Sequence, residues 1–318
     1  MNRKGHDEKL KAIYEHLWSA HDGELYTRLD QSLNPRSPGM LFDVVATLGI
    51  KTGSLVLDAG CGRGNHACEL ARRFGFQVKG LEIADANLKI ARNAVIEGGL
   101  VDKVEIIEGS IENIPFQDEI FDLVWCRDML MHAQNLRQGI EETSRVLKRD
   151  GWMVVLTTFA TDSMEPKEAE SLYESLGMVA ENLNRFDVEA LFGSSGLQVH
   201  SRETIGSESL EYYDERDGRY GRELMRLARM SRAKERFIAE FGALRYITAM
   251  ALYRWGIYLL LGKLSSTIYV LRKVDARQVL RKEGARQNGV VAKLERRWSC
   301  KPVIAGSIPA DSIFQDVG

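Results

Sequence analysis

The segment Val56-Leu57-Asp58-Ala59-Gly60-Cys61-Gly62-Arg63-Gly64-Asn65 constrains the fold of this 318-residue chain more than any other. An apolar run ends in an acid, and glycines then occupy every second position before a helical pattern begins. This reads as a strand whose carboxyl end turns through a glycine-rich loop into a helix. Glycines there let the backbone approach a ligand closely and adopt φ values that other residues resist.

The flanking pattern agrees. Short apolar runs at 55–57, 77–81, 104–107, 121–126 and 152–158 alternate with amphipathic stretches at 65–74, 84–98 and 136–147. Two further strands are expected at 197–203 and 266–271, with helices at 166–176 and 187–192 between the fifth and sixth strands. The βαβα order predicts an α/β, Rossmann-like fold: a seven-stranded, mostly parallel sheet with right-handed crossovers and helices on both faces. A long helical stretch over 209–262 falls between the last two strands and reads as a cap, inserted at about 205–263. Helices at 9–18 and 39–48, joined by a loop at 34–39, form a lid segment over 1–50. Residues 51–273 make up the main domain, and 274–318 read as a basic, poorly ordered tail.

Composition narrows the function. The four cysteines (Cys61, Cys68, Cys126, Cys300) lack C-x-x-C spacing and framework density, so free thiols and a cytoplasmic setting are expected. No apolar leader follows Met1. The apolar stretch at 246–262 is interrupted by Arg254, far short of the roughly 20 residues that a membrane span requires. The formal net charge of −2 hides an asymmetry: residues 1–215 carry −14 and residues 216–297 carry +13. Arg216, Arg219, Arg222, Arg226 and Arg229 recur at helical steps. They form either a solvated helix face or a basic cap that attracts an anionic acceptor or a phospholipid surface. Nucleic acid is not expected, because the acidic remainder opposes a phosphate backbone.

The glycine turn itself discriminates between ligands. Its spacing, Gly60-x-Gly62-x-Gly64, is not the G-x-G-x-x-G of dinucleotide folds. Asp58 stands two residues before the first glycine, where a carboxylate repels a pyrophosphate and suits a ligand with an ammonium group. S-adenosyl-L-methionine has that character. Glu82 ends the second strand, where a carboxylate can accept both hydrogens of a ribose diol.

On these motifs the chain resembles the class I S-adenosylmethionine-dependent methyltransferases, strongly over 55–159 and loosely over 197–273. The resemblance implies that Asp58, Gly60 and Gly62 hold the methionine part and Glu82 the ribose. In Gly109-Ser110-Ile111-Glu112-Asn113-Ile114-Pro115-Phe116, Ser110 stands where the family usually has an Asp that meets the adenine amino group. A hydroxyl accepts that bond without charge assistance. Ile111 is implied to pack on the adenine ring. Phe121-Asp122-Leu123-Val124-Trp125-Cys126-Arg127 matches the fourth strand, whose end, at Arg127, flanks the methionine carboxyl and amino groups.

Methyl transfer from a sulfonium is an in-line displacement, so positioning is the main requirement, and a base is needed only if the acceptor loses a proton. His132 is the candidate base, with Asp128 four residues earlier to orient it or bind a substrate cation. The run Arg127-Asp128-Met129-Leu130-Met131-His132 is similar to that of phosphoethanolamine-type N-methyltransferases, which implies a catalytic partner at Tyr14 on the first helix. His132 as a packed structural histidine is the competing reading. Tyr14, His16, Trp18 and Tyr26 form either an aromatic lid or an ordinary packing face, and His66 reads as a packed or solvated residue. No Cys, His and carboxylate set has metal-ligand spacing. The function expected is N- or O-methylation of a small molecule, with anionic and lipid-like acceptors among the candidates. The alternatives are C-methylation of a lipid or isoprenoid, a non-catalytic cofactor-binding protein, and a macromolecular methyltransferase.

Overall fold

The computed structural model describes residues 3–17, 22–31 and 36–274. The N-terminal helices are α1 (Arg3–Leu17), α2 (Asp22–Leu29) and α3 (Met40–Thr47). The alternating core follows as β1 (Leu55–Ala59), α4 (Asn65–Phe74), β2 (Gln77–Glu82), α5 (Asp85–Glu97), β3 (Val104–Glu108), β4 (Phe121–Arg127), α6 (Leu136–Val146) and β5 (Leu147–Ala160). Next come α7 (Pro166–Leu176), α8 (Arg185–Ser194) and β6 (Leu197–Ile205). The cap helices are α9 (Glu208–Asp217), α10 (Arg219–Arg232), α11 (Lys234–Phe241) and α12 (Ala243–Leu260), and β7 (Leu264–Lys273) closes the sheet. The expected tail lies outside the described residues from 275 onward, as do the side chains of His16, Trp18 and Tyr26.

The seven strands lie in the order β3-β2-β1-β4-β5-β7-β6. All neighbours run parallel except β7, which is antiparallel to β5 and β6. The expected α/β sheet and the cap before its last strand are therefore present. Strand order reverses between β1 and β4, which opens a crevice at their carboxyl ends.

Period-two alternation sorts the core. Val56 of β1, Val78, Leu123 and Trp125 face α3, α4 and α5, burying Phe42, Leu70 and Leu88. Leu57, Ala59, Val124 and Val155 face the other layer with Ile140, Phe192 and Tyr269. A third cluster, including Leu172, Leu210, Ala251 and Leu259, ties the cap to α7. Helix α3 belongs to the core, since Leu41, Phe42 and Val45 are all buried; it is no part of an outer lid.

Several boundaries differ from expectation. Helix α2 falls in a stretch to which the sequence pattern assigns no element, because DGELYTRL is short and polar. Strand β5 starts five residues early, through polar residues that resemble a turn, with Asp150 at φ 58°. The helical cap stretch consists of four helices, broken at Gly218 (φ 61°) and Gly242 (φ 85°) and at Ala233.

Gly80 of β2 shows how tightly the glycine turn is seated. A Cβ there would lie 2.8 Å from Ile106 Cδ1 and 2.9 Å from Cys61 Sγ. Gly80→Ala is expected to destabilise the protein by about 1–3 kcal/mol, through overpacking against that turn. A urea unfolding series measures it, and an unchanged midpoint would show that Cys61 has room to move.

Candidate active site

Asp58 is the second-to-last residue of β1 and only 2% exposed. Its Oδ2 is buried and has no hydrogen-bond partner. Burial pushes the carboxyl up from 3.8 to about 7; the Ala67 backbone N–H and the Arg127 guanidinium pull the other way, and Glu82 adds to the rise. The glycine turn follows directly. Gly60 and Cys61 both donate their backbone N–H to the Leu81 carbonyl, at 2.9 and 2.8 Å, which locks the turn to β2. Gly62 takes φ 54°, and a Cβ on it would meet nothing within 4 Å, so the turn leaves open space beside its backbone.

Glu82 ends β2 and is 8% exposed. Its Oε1 accepts the N–H groups of Ile83 (2.9 Å) and Ala84 (2.8 Å), which fixes the carboxylate and leaves Oε2 for an outside donor. Ser110 Oγ accepts the Glu112 N–H at 3.2 Å, so the hydroxyl braces its own turn while keeping a proton to donate. Ile111 departs from the role implied for it. Its side chain is 2% exposed and packs beside Gly139 of α6 in the core, so it is its backbone that borders the crevice side of the turn.

At the end of β4, Arg127 Nη1 lies 2.6 Å from His66 Nε2. A guanidinium only donates, so His66 accepts with Nε2 and carries its proton on Nδ1. Burial and Arg127 lower the His66 pKa to about 4, which keeps the ring neutral. The ring also lies against Phe42 and Trp125, at centroid distances of 5.7 and 5.6 Å. The packed reading of His66 thus holds, but it is in addition the group that orients Arg127. Arg127 Nε is 3.2 Å from Asp128 Oδ2.

Asp128 sits at φ 53°, a left-handed conformation that Asp tolerates better than most residues, and its N–H donates to Leu156 at 2.8 Å. Its side chain is 46% accessible, yet the surrounding protein raises its pKa, with Arg127 and His132 opposing. Asp128 and Arg127 line a cavity of about 440 Å³. Leu156 and Thr158 of β5 and Ser266 of β7 complete its floor, and Tyr213, Tyr220, Glu223 and Trp255 of the cap are among its walls. Arg36, Ser37 and Pro38, with Met40 and Leu41 at the start of α3, close one side.

His132 does not line this cavity. It is exposed on a 3₁₀ turn (Leu130–His132), where Nδ1 donates to the Gly177 carbonyl at 3.1 Å and leaves Nε2 as the basic nitrogen. The turn is held from below by Asn182, 5% exposed, whose Nδ2 donates to Leu130 O (3.0 Å) and Ala133 O (2.7 Å). The described cavity at the end of β4 thus opens beside Asp128 and not beside His132. Tyr14 is 55% exposed on α1 and lines none of the described cavities.

Two bracing groups carry no motif and were not anticipated. Glu112 Oε1 accepts the N–H groups of Gln134 (2.8 Å) and Asn135 (3.1 Å), joining the Ser110 turn to the start of α6. Arg145 donates to the carbonyls of Ile114 (2.9 Å) and Phe116 (2.8 Å) and pairs with Glu142 and Asp118. A Glu at i and an Arg at i+3 on one helix was the only sequence signal for the latter.

A buried acid beside a glycine turn at the switch point, a second carboxylate at the end of the next strand and a capped cavity stand together at the carboxyl ends of the strands. Residues 57–155 match the methyltransferase domain family, and the chain carries a class I S-adenosylmethionine-dependent methyltransferase domain. The chain is 28% identical over 209 residues to the glycine/sarcosine/dimethylglycine N-methyltransferase of Actinopolyspora halophila, covering 65% of this chain and 35% of that protein. It is also 28% identical over 251 residues to the sterol 24-C-methyltransferase of Pneumocystis carinii, covering 74% and 66%. The chain thus spans between about a third and two thirds of these curated relatives. Among solved structures, the phosphoethanolamine N-methyltransferase 2 of Haemonchus contortus, in complex with phosphomonomethylethanolamine and S-adenosylhomocysteine, shares the fold. Its TM-score is 0.56 at 19% identity, over 76% of this chain and 54% of that one.

The residues present fit S-adenosylmethionine. Asp58 Oδ2 lacks a partner, Glu82 Oε2 is free, and the space at Gly62 is open. Among the described residues no His, Cys, Asp and Glu side chains converge as metal ligands.

In the ligand-free protein, Asp58 binds its proton more tightly folded than unfolded. Its cost to stability is absent below the ordinary value of 3.8, grows with pH, and is complete above about 7. The stability difference between Asp58→Asn and the parent is expected to move in the variant's favour by about 2–3 kcal/mol from pH 5 to pH 8. Chemical denaturation at both pH values checks this, and a pH-independent difference would refute it.

Proposed function

We propose that this chain transfers a methyl group from S-adenosylmethionine to nitrogen or oxygen of a small-molecule acceptor. The observation that carries the reading is the unpaired buried oxygen of Asp58, with Arg127, whose charge acts on it, lining the cavity at Asp128. Bound in the crevice, the cofactor supplies a sulfonium whose methyl group is already activated for in-line displacement. Asp58, with the backbone of Gly60 and Gly62, takes the amino-acid end. Glu82 Oε2 accepts from the ribose diol, and the Ser110 hydroxyl with the backbone of Ile111 borders the base. Arg127, held by His66, faces the carboxylate of the methionine part.

Asp128 holds the acceptor at the floor of the cavity. The cap excludes water, so the groups around the acceptor act in a medium of lower dielectric. Where the acceptor loses a proton, His132 Nε2 receives it, since Nδ1 is committed to Gly177. His132 is exposed on its turn, so this role requires the acceptor's reacting atom to lie toward that turn. Tyr14 contributes if α1 folds over the crevice. A second reading, C-methylation of a lipid or isoprenoid, is favoured by the apolar wall of Leu210, Leu252, Trp255 and Leu259.

Among the described residues no helix is long and apolar enough to cross a membrane. Helix α10 exposes Leu224 (52%) and Met225 (53%) beside Arg222 and Arg226, a face suited to peripheral contact with an anionic bilayer. Cys61, Cys68 and Cys126 are buried free thiols, consistent with a cytoplasmic setting.

Titration calorimetry with S-adenosylmethionine and S-adenosylhomocysteine tests the reading. Binding is expected for the parent, at least about tenfold weaker for Asp58→Asn. No binding to the parent removes the proposal. For the base, His132→Ala is expected to lower kcat about 10²-fold or more on acceptors that lose a proton, with cofactor affinity unchanged. Equal turnover from pH 6 to pH 9 would exclude His132.

A further inference from the structure

The cap cavity has a chemical character of its own, set by a residue outside the matched domain. Four charged residues line it: Arg36, Arg127, Asp128 and Glu223. Arg36 is paired with Glu203, on β6. Arg127 is engaged by His66 and Asp128. Glu223 of α10 makes no hydrogen bond and no ion pair among the described residues, although the charges of Arg226, Arg219 and Arg222 on its own helix act on it. Its neighbours Arg219 and Arg222 are turned to Asp217.

Glu223 is placed there by the close approach of two helices. Gly256 of α12 is buried, and a Cβ on it would lie 2.8 Å from a Tyr220 ring carbon and 3.4 Å from Glu223 Oε2. Only a glycine lets α10 press Tyr220 and Glu223 against α12 at this point. Burial raises the Glu223 pKa, with Arg226, Arg219 and Arg222 opposing. The surrounding walls carry three tyrosines (Tyr213, Tyr220, Tyr253) and Trp255, side chains suited to the body of a cationic or aromatic amine. At about 440 Å³ the cavity is within the range that encloses ligands much larger than a simple amino acid.

We propose that Glu223 is a specificity residue, and that the cavity takes an amine with a bulky apolar or aromatic body. An ammonium group of the ligand pairs with Glu223 while the body packs against Tyr220, Tyr253 and Trp255. The atom to be methylated is a second, unprotonated nitrogen on the same molecule, on the side of Asp128. This rests on the methyltransferase reading for its chemistry, but not for its binding.

The test therefore reads binding directly. Calorimetry measures tryptamine, 2-phenylethylamine and octylamine against the matching carboxylates indole-3-propionate, 3-phenylpropionate and nonanoate, with and without S-adenosylhomocysteine. Amines are expected to bind at least tenfold tighter than their carboxylate counterparts, and glycine and sarcosine more weakly than the bulky amines. Glu223→Gln is expected to lose about tenfold or more in amine affinity while S-adenosylhomocysteine affinity and the thermal midpoint stay at parent values. Glu223→Asp should recover part of the loss. If no amine outbinds its carboxylate, or if Glu223→Gln binds amines as the parent does, the inference falls. Loss of S-adenosylhomocysteine binding by the parent, with amine selectivity intact, would instead remove the methyltransferase reading.

Discussion

A carboxylate buried without full compensation governs the geometry around it. Asp58 lies at the end of the central strand, 2% exposed, with one oxygen unpaired. Leaving such a group unsatisfied costs on the order of several kcal/mol. The packing of β1 does not require it, because Val56, Leu57 and Ala59 supply the buried apolar contacts of that strand. The cation within reach, Arg127, is shared with His66 and with Asp128. What the position offers is a negative charge, poorly hydrated, beside an open glycine turn. A ligand with an ammonium group gains there what water would otherwise deny it, which is how a fold converts local instability into affinity.

The rest of the site is stiffened from behind, by side chains that need not touch a ligand. Glu112 ties the turn of Ser110 to the start of α6, and Arg145 clamps the carbonyls of Ile114 and Phe116. Asn182 does the same for the turn of His132. Each satisfies backbone groups of a loop that would otherwise fray, and each comes from a regular element or its flank. Loops carry the candidate residues, while helices and buried amides set their positions.

The crevice was legible in the sequence because its determinants are contiguous. Residues 56–65 carry a strand, a turn and a helix start within ten positions, and Glu82 follows at the next strand end. Helices 65–74 and 166–176 were read to the residue for the same reason: capping glycines and a proline mark their ends. What stayed hidden depends on contacts between distant segments. Nothing near His66 announces Arg127, 61 residues away. Ile111 follows the family pattern in sequence, yet α6 brings Gly139 over it and draws its side chain into the core. The division of the cap into separate helices stayed hidden because its breaks at Gly218 and Gly242 lie inside strongly helical composition, where a single glycine is a weak signal.

The division of labour along the chain bears on how far the relatives' substrates apply. The candidate cofactor residues all fall within 57–155, the stretch that matches the methyltransferase domain. The cavity proposed for the acceptor is built mostly from outside it, by Arg36, Ser37, Pro38, Met40 and Leu41, by β7 and by α9, α10 and α12. Gly256 costs α12 roughly 1 kcal/mol of helix propensity relative to alanine. In return α10 comes close enough for Tyr220 and Glu223 to form the wall. A change in that wall alters which molecule is held without disturbing Asp58, Glu82 or the glycine turn. The chemistry and the acceptor are thus specified by separate parts of the sequence, and similarity in the first says little about the second.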